Sequence, residues 1–134
     1  MSVCHYSKKT EGAKKLSVNF TVKEFACNDG TDEILINPEL VEVLQKARTH
    51  FGKALIITSA YRTKTYNAKV GGSPNSQHLL GYAADTYING VTPKQLYDYF
   101  NSLMPNTGGV GLYDGFCHVD VRVKKSRWDY RKKK

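Results

Sequence analysis

Two histidines and one aspartate have the side-chain types that a single zinc ion needs. His78 and Asp85 are seven residues apart, and His118 follows much later in the chain. A catalytic zinc takes three protein ligands and keeps a fourth position for water, and imidazole and carboxylate groups are suitable donors. If the chain forms neighbouring strands around Asp85 and His118, the alternation of side chains can place both on one sheet face. From residue types alone, the same side chains also fit ordinary loop positions or a buried hydrogen-bonded pair.

The sequence around these three residues resembles a known pair of motifs. Residues 76–85 (SQHLLGYAAD) match the Ser-x-His-x-x-Gly-x-Ala-x-Asp motif of the zinc D-Ala-D-Ala carboxypeptidase and endopeptidase family. Residues 116–120 (FCHVD) are similar to that family's second motif, and residues 59–62 (SAYR) resemble its Ser-Gly-Tyr-Arg element. The resemblance extends over about residues 20–128. Further matching positions are Asn67, Gly71, Gly72, Asn75, residues 108–111, Arg127 and Trp128.

This resemblance implies a role for each matching residue. It makes His78, Asp85 and His118 the ligands of one zinc ion per chain. The implied fold is shared with the vancomycin-resistance D-Ala-D-Ala dipeptidases and the hedgehog signalling domain. Arg62 is expected to face the substrate carboxylate or the oxyanion, and Ser76 to fix the loop of His78 or to contact the substrate. The implied substrate is a peptidoglycan peptide with D-amino acids, and the cleaved bond in the stem peptide or cross-link stays open.

The group that accepts a proton from the attacking water is less determined. Some relatives have an acidic base three residues before the last histidine ligand, where this chain has Gly115. Asp114 and Asp120 are the carboxylates nearby. Asp120 is favoured as the catalytic base because it shares a strand face with His118 and belongs to the second motif. Both also have structural interpretations, Asp114 as a turn former and Asp120 as a residue that orients a ligand histidine.

Local patterns predict the elements that must position these residues. Asn37-Pro38 is a favourable helix start, Gly52 is a suitable helix end, and Thr92 to Gln95 forms a capping box. Helices and strands are mixed without regular βαβ alternation, which predicts an α+β fold with a small central antiparallel sheet and flanking helices. The predicted elements are helices over residues 38–51 and from 92 to 105, a helical turn near 65–69, strands over 54–58 and 81–88, and a hairpin of 108–113 and 116–123.

Length and charge indicate the organisation and the partners. The 134 residues fit a loose basic segment over 1–17, a zinc peptidase domain over 18–130 and a basic tail over 131–134. The net charge is +8, and eight of the twenty basic residues lie from Arg122 onward. This charge favours anionic wall polymers, or it forms a solvated chain end. Nucleic acid is disfavoured because the charge is terminal and is not interleaved with base-stacking aromatic residues.

The remaining sequence features bear on location. No stretch reaches the roughly 18 apolar residues of a membrane span, and residues 1–15 lack the apolar run of a signal peptide. Cys4, Cys27 and Cys117 are too few and too widely spaced for a disulfide framework. We expect a monomer that is made in the cytoplasm and acts on the wall after release or as a virion component, as a phage or prophage lysin does. The rival hypothesis is a catalytically inactive zinc-containing binding domain of the same fold.

Overall fold

Two β-sheets organise residues 3–132, the part of the chain that the computed structural model describes. The smaller sheet pairs β1 (Cys4–Ser7) with β2 (Glu33–Ile36) in antiparallel orientation. The main sheet has the strand order β3, β4, β6, β5, β7. Its strands are β3 (Leu55–Ser59), β4 (Ala83–Ile88), β5 (Gly109–Leu112), β6 (Cys117–Asp120) and β7 (Ser126–Asp129).

The main sheet is mixed, so the prediction of an antiparallel sheet is wrong at one edge. β3, β4, β6 and β5 pair antiparallel, whereas β7 runs parallel to β5. Residues 126–129 (SRWD) lack the apolar alternation that predicts a strand. Long-range bonds hold β7 instead: the guanidinium of Arg127 donates to the main-chain carbonyls of Met104, Thr107 and Gly108.

Two long helices, α2 (Pro38–Phe51) and α4 (Pro93–Leu103), confirm the capping predictions. The side chain of Asn37 accepts the Glu39 N–H, and Gly52 ends α2 at a φ of 65°, which glycine tolerates best. α4 packs against β4, β5 and β6, and α2 packs against α4 and β3. Fully buried side chains in this interface include Leu40, Leu44, Leu96, Phe100, Val110 and Val119.

The elements around the candidate ligands also form where the sequence predicts them. β4 lies inside residues 81–88, and α3 (Lys64–Lys69) is the helical turn expected near residues 65–69. β5 and β6 form the expected antiparallel hairpin, with the Tyr113 N–H donating to the Phe116 carbonyl across the turn.

The N-terminal segment is joined to the domain by polar contacts. α1 (Lys8–Glu11) begins at Ser7, whose side chain accepts the Thr10 N–H. Asp32 accepts hydrogen bonds from the Ser7 hydroxyl and the Lys9 N–H. The loose basic segment expected over residues 1–17 therefore contains a paired strand and a capped helical turn, which polar residues do not reveal in sequence. The domain boundaries at residues 17 and 131 stay a prediction, and residues 1, 2, 133 and 134 lie outside the described part of the chain.

Within residues 3–132, no helix is long and apolar enough to cross a bilayer. Cys27 and Cys117 are buried and Cys4 is partly buried, and all three are free thiols. Burial raises the pKa of Cys117 well above its ordinary value, so this cysteine is an inert core residue.

Candidate metal centre

One row of paired residues crosses the whole main sheet and contains two of the candidate ligands. Ser59 pairs with Asp85, Asp85 with His118, His118 with Gly111, and Gly111 with Trp128. Residues that lie directly opposite each other on neighbouring strands have side chains on the same face. A carboxylate, an imidazole and an indole therefore lie in sequence across one face of the sheet.

His78 comes to this row from a loop. Ser76 begins a 3₁₀ turn over Gln77–Leu80, and its hydroxyl accepts the His78 N–H at 3.2 Å. Gly81 ends the turn at a φ of 76°, and a side chain at this position would overlap the main chain of Leu35. This short turn leads directly into β4, which carries Asp85.

The three candidate ligands converge around one oxygen atom. Nε2 of His78 lies 3.4 Å from Oδ1 of Asp85, and Nδ1 of His118 lies 3.1 Å from the same oxygen. One ligand atom from each residue lies within 4.8 Å of the other two, and all three side chains are buried. Two imidazoles and one carboxylate at this separation fit a zinc ion with a fourth position for water.

The outward nitrogen of each histidine has a hydrogen-bond acceptor. Nδ1 of His78 donates to the main-chain carbonyl of Ala60 at 2.7 Å, and Nε2 of His118 donates to Oδ2 of Asp120 at 2.7 Å. A bond of this kind fixes the tautomer and leaves the lone pair of the other ring nitrogen for a metal. The contacts therefore indicate Nε2 of His78 and Nδ1 of His118 as the ligand atoms.

Arg62 lies against the far oxygen of the ligand carboxylate. Its guanidinium donates to Oγ of Ser59 at 3.1 Å, Oδ1 of Asn67 at 3.1 Å and Oδ2 of Asp85 at 3.3 Å. Burial raises the pKa of Asp85, but its close contacts with the two imidazoles outweigh burial and hold this pKa well below its usual value. Asp85 is thus a charged carboxylate with one oxygen toward the histidines and one toward Arg62.

Asp120 is fully buried, and hydrogen bonds from the protein saturate both of its oxygens. Oδ1 accepts the Gly109 N–H, the Arg122 N–H and Nε–H of Arg122, at 2.9, 3.1 and 2.8 Å. Oδ2 accepts from Nη2 of Arg122 and Nε2 of His118, both at 2.7 Å. Burial raises the pKa of Asp120, but these donors outweigh burial and lower the pKa overall. Asp120 contacts the nitrogen of His118 that faces away from Asp85.

Asp114 lies outside this network. It is exposed in the turn between β5 and β6, where Oδ2 accepts the main-chain N–H of Lys132 at 3.2 Å. No contact between Asp114 and a candidate ligand is described within residues 3–132. The structure thus joins five of the predicted site residues through side-chain contacts, and a sixth begins the 3₁₀ turn that carries His78. The connected residues are Arg62, His78, Asp85, His118 and Asp120, and the sixth is Ser76.

Several residues that shape this centre have no role predicted from the sequence. The ring centroid of Trp128 lies 5.0 Å from that of His118, and the Arg122 guanidinium lies 5.5 Å from the centroid of the indole. Arg122 follows His118 and Asp120 at every second position, and this spacing could have indicated its contact with Asp120. Trp128 has no such local signal, because its position depends on the parallel pairing of β7.

A family model described as Peptidase M15 matches residues 14–120, a range that includes all three candidate ligands. A search among curated proteins finds no match. Peptidases of the matched family depend on zinc, which agrees with the donor set found here. Because the match spans well over half of the 134 residues, the chain belongs to the Peptidase M15 family of zinc D-Ala-D-Ala peptidases.

Proposed function

We propose that this protein is a zinc-dependent peptidase that hydrolyses an amide bond in the stem peptide or cross-link of peptidoglycan. The main support for this proposal is that ligand atoms of His78, Asp85 and His118 lie within 4.8 Å of one another in a chain of the Peptidase M15 family. A bound zinc supplies a Lewis acid that polarises the scissile carbonyl and lowers the pKa of a water molecule to about 7.

The chain's own residues keep the histidines in the form that binds a metal. Ala60 and Asp120 accept from the outward nitrogens, so the lone pairs of the other two nitrogens point to one centre. Partners of this kind typically change metal affinity by about 10- to 100-fold when they are mutated. Arg62 adds a positive charge 3.3 Å from Oδ2 of Asp85 and so holds the oxygen of the ligand carboxylate that faces away from the histidines.

A cavity of about 500 Å³ supports a substrate role for Arg62 and Ser76. Both residues line it, together with Lys64 and Asn75. Three guanidinium N–H groups of Arg62 donate to protein atoms, which leaves further N–H groups for a ligand. Two cationic side chains beside polar groups suit the carboxylate end of a peptide, and Arg is the better clamp for it.

Of the two candidate bases, we assign Asp120 to the orientation of His118. Its oxygens already accept five hydrogen bonds and its side chain has no exposed surface, so water has no access to it. Asp114 is then the remaining carboxylate for proton transfer.

A pair of isosteric variants tests this assignment. We expect Asp114→Asn to keep full zinc and lower kcat by about 100-fold or more, as the loss of a general base does. The main effect of Asp120→Asn should instead be a lower zinc affinity, since an amide is a weaker partner for the imidazole of His118. An Asp120→Asn protein with wild-type zinc affinity and no turnover would show that Asp120 is the general base.

The alternative is a zinc-containing binding domain without catalysis. It is favoured by one observation: Gly115 occupies the position of the acidic base of some relatives, while Asp120 is saturated by donors. The two functions differ in whether covalent bonds are cleaved, so product analysis separates them.

Mass spectrometry of purified peptidoglycan after digestion tests the proposal and identifies the bond. We expect zinc-loaded protein to release fragments whose summed mass exceeds that of the parent by one water per cleaved amide, and we expect chelator to abolish the release. His118→Ala is the matched control for a contaminating hydrolase. Unchanged peptidoglycan with fully zinc-loaded protein would favour the binding domain.

A further inference from the structure

The row of side chains across the sheet continues past the ligands to an indole and a phenol. Trp128 lies beside His118, and its Nε1–H donates to Oη of Tyr113 at 3.0 Å. Trp128 lies in the row that contains Asp85 and His118, so its hydrogen bond holds the phenol of Tyr113 beside that row. One indole thus connects a ligand histidine to a tyrosine hydroxyl.

The absence of a side chain at Gly111 makes room for this indole. A Cβ at Gly111 would overlap Cε2 and Nε1 of Trp128. Gly111 pairs with His118 on one side and with Trp128 on the other. The glycine therefore allows the indole to lie across β5, close to the ligand row.

The ring of Tyr113 is held on several sides. It stacks on Phe116 with ring centroids 4.4 Å apart and an interplanar angle of 8°. Tyr130 contacts it edge to face at 5.7 Å, and the indole N–H of Trp128 fixes its oxygen. These contacts limit the rotation of the phenol, yet Tyr113 remains partly exposed to solvent. The position of the ring and of its hydroxyl is therefore fixed before any ligand binds.

The surroundings of Tyr113 keep its hydroxyl protonated. Burial raises the pKa of Tyr113, and the negative charge of Asp85 raises it further, while the indole hydrogen bond and the charge of Arg62 lower it. The phenol is therefore protonated at neutral pH and can donate its O–H. Trp128 donates to the oxygen, and no acceptor for the Tyr113 O–H is described within residues 3–132.

We propose that Tyr113 is a catalytic residue that donates its O–H to the carbonyl oxygen of the scissile amide, and that Trp128 positions it. This inference rests on the peptidase function proposed above. As water adds to the carbonyl carbon, the carbonyl oxygen gains negative charge and becomes a stronger acceptor. A donor fixed beforehand at that oxygen stabilises the transition state more than the ground state.

The variant Tyr113→Phe removes the hydroxyl and keeps the ring that stacks on Phe116. We expect kcat/KM on peptidoglycan fragments to fall by about 100-fold, which is typical of losing one oxyanion donor. Zinc affinity should stay at the wild-type value. A phosphinate analogue of the peptide has a charged oxygen at the position of the carbonyl oxygen, and its affinity, measured by calorimetry, should fall by about tenfold or more. Tyr97→Phe is the control, since it removes the same atom from α4.

A second variant tests the role of Trp128. Trp128→Phe keeps an aromatic ring but removes the N–H that holds Tyr113, so we expect kcat to fall by about tenfold with little change in KM. The double variant Tyr113→Phe/Trp128→Phe should be no slower than Tyr113→Phe alone, because the indole acts through the hydroxyl. Additive losses would show that Trp128 does not act through Tyr113.

The outcomes separate this inference from the function on which it rests. An active wild-type enzyme beside a Tyr113→Phe variant with unchanged kcat/KM and unchanged phosphinate affinity overturns the role of Tyr113 alone. A zinc-loaded wild-type protein that cleaves no peptidoglycan overturns the proposed function and, with it, this inference.

Discussion

At the residue scale, the centre depends on which nitrogen of His118 faces the metal. Asp120 accepts from Nε2, so Nδ1 is left for the ligand cluster. Arg122 holds Asp120 in turn through its main-chain N–H and its guanidinium. The ligand triplet was predictable from the motif, and the sequence also offered Asp120 as a residue that orients a ligand histidine. The saturation of both Asp120 oxygens was not predictable, because the donors come from Gly109, His118 and Arg122, which meet only in the folded sheet.

The contact between Arg122 and Asp120 predicts a change in zinc affinity. We expect Arg122→Gln to weaken zinc binding by about tenfold, since Asp120 loses the donors that orient it toward His118. Competition with a chromophoric chelator measures this change.

Arg131→Gln is a matched control, because Arg131 makes the same kind of contact with Asp129, two residues before it. Equal zinc affinity in the Arg122→Gln and Arg131→Gln proteins would show that the contact between Arg122 and Asp120 is structural only.

At the element scale, strand register assembles the site. Pairing of β4, β6, β5 and β7 brings Asp85, His118, Gly111 and Trp128 into one row. The long helices and the hairpin were predictable because caps, turn residues and apolar spacing are local signals. β1, β2 and β7 were not predicted: each has four residues, and their pairing depends on partners distant in sequence.

The space at Gly111 gives a prediction at this scale. Gly111→Ala should displace the Trp128 indole and lower the free energy of unfolding by about 1–3 kcal/mol, as overpacking does. Trp128 is the one tryptophan of the chain, so its fluorescence reports the displacement directly, and thermal unfolding reports the stability.

Gly115→Ala is the control for Gly111→Ala, because a Cβ at Gly115 meets no atom within 4 Å. Wild-type emission and stability in Gly111→Ala would mean that the indole is not confined by β5.

At the scale of the whole molecule, the basic C-terminal residues concern access to the wall. Arg131 contacts Asp129, and the main chain of Lys132 donates to Asp114, so the described part of the tail lies against the domain. Lys133 and Lys134, the rest of the predicted tail, lie outside the described residues. We propose that this charge attracts the enzyme to anionic wall polymers at a range of about 8 Å at physiological salt.

Truncation after Tyr130 tests the role of these charges. Hydrolysis of a small soluble peptide should keep its wild-type rate, because no ligand is removed. Lysis of intact walls should slow at low salt, and the defect should shrink as salt screens the attraction. Full lysis by the truncated protein at low salt would show that the tail has no role in wall binding. A loss of soluble-peptide hydrolysis would show that the tail supports the fold or, through the Lys132 N–H, the position of Asp114.

The zinc content of single-ligand variants tests whether His78 and His118 hold the metal. Elemental analysis should find one zinc per wild-type chain and less than about a tenth of that in His78→Ala and in His118→Ala, since two remaining ligands bind zinc weakly. Both variants should lose peptide hydrolysis together with the metal. Full zinc occupancy in His78→Ala and His118→Ala would contradict the assignment of these residues as ligands and, with it, the proposed catalytic centre.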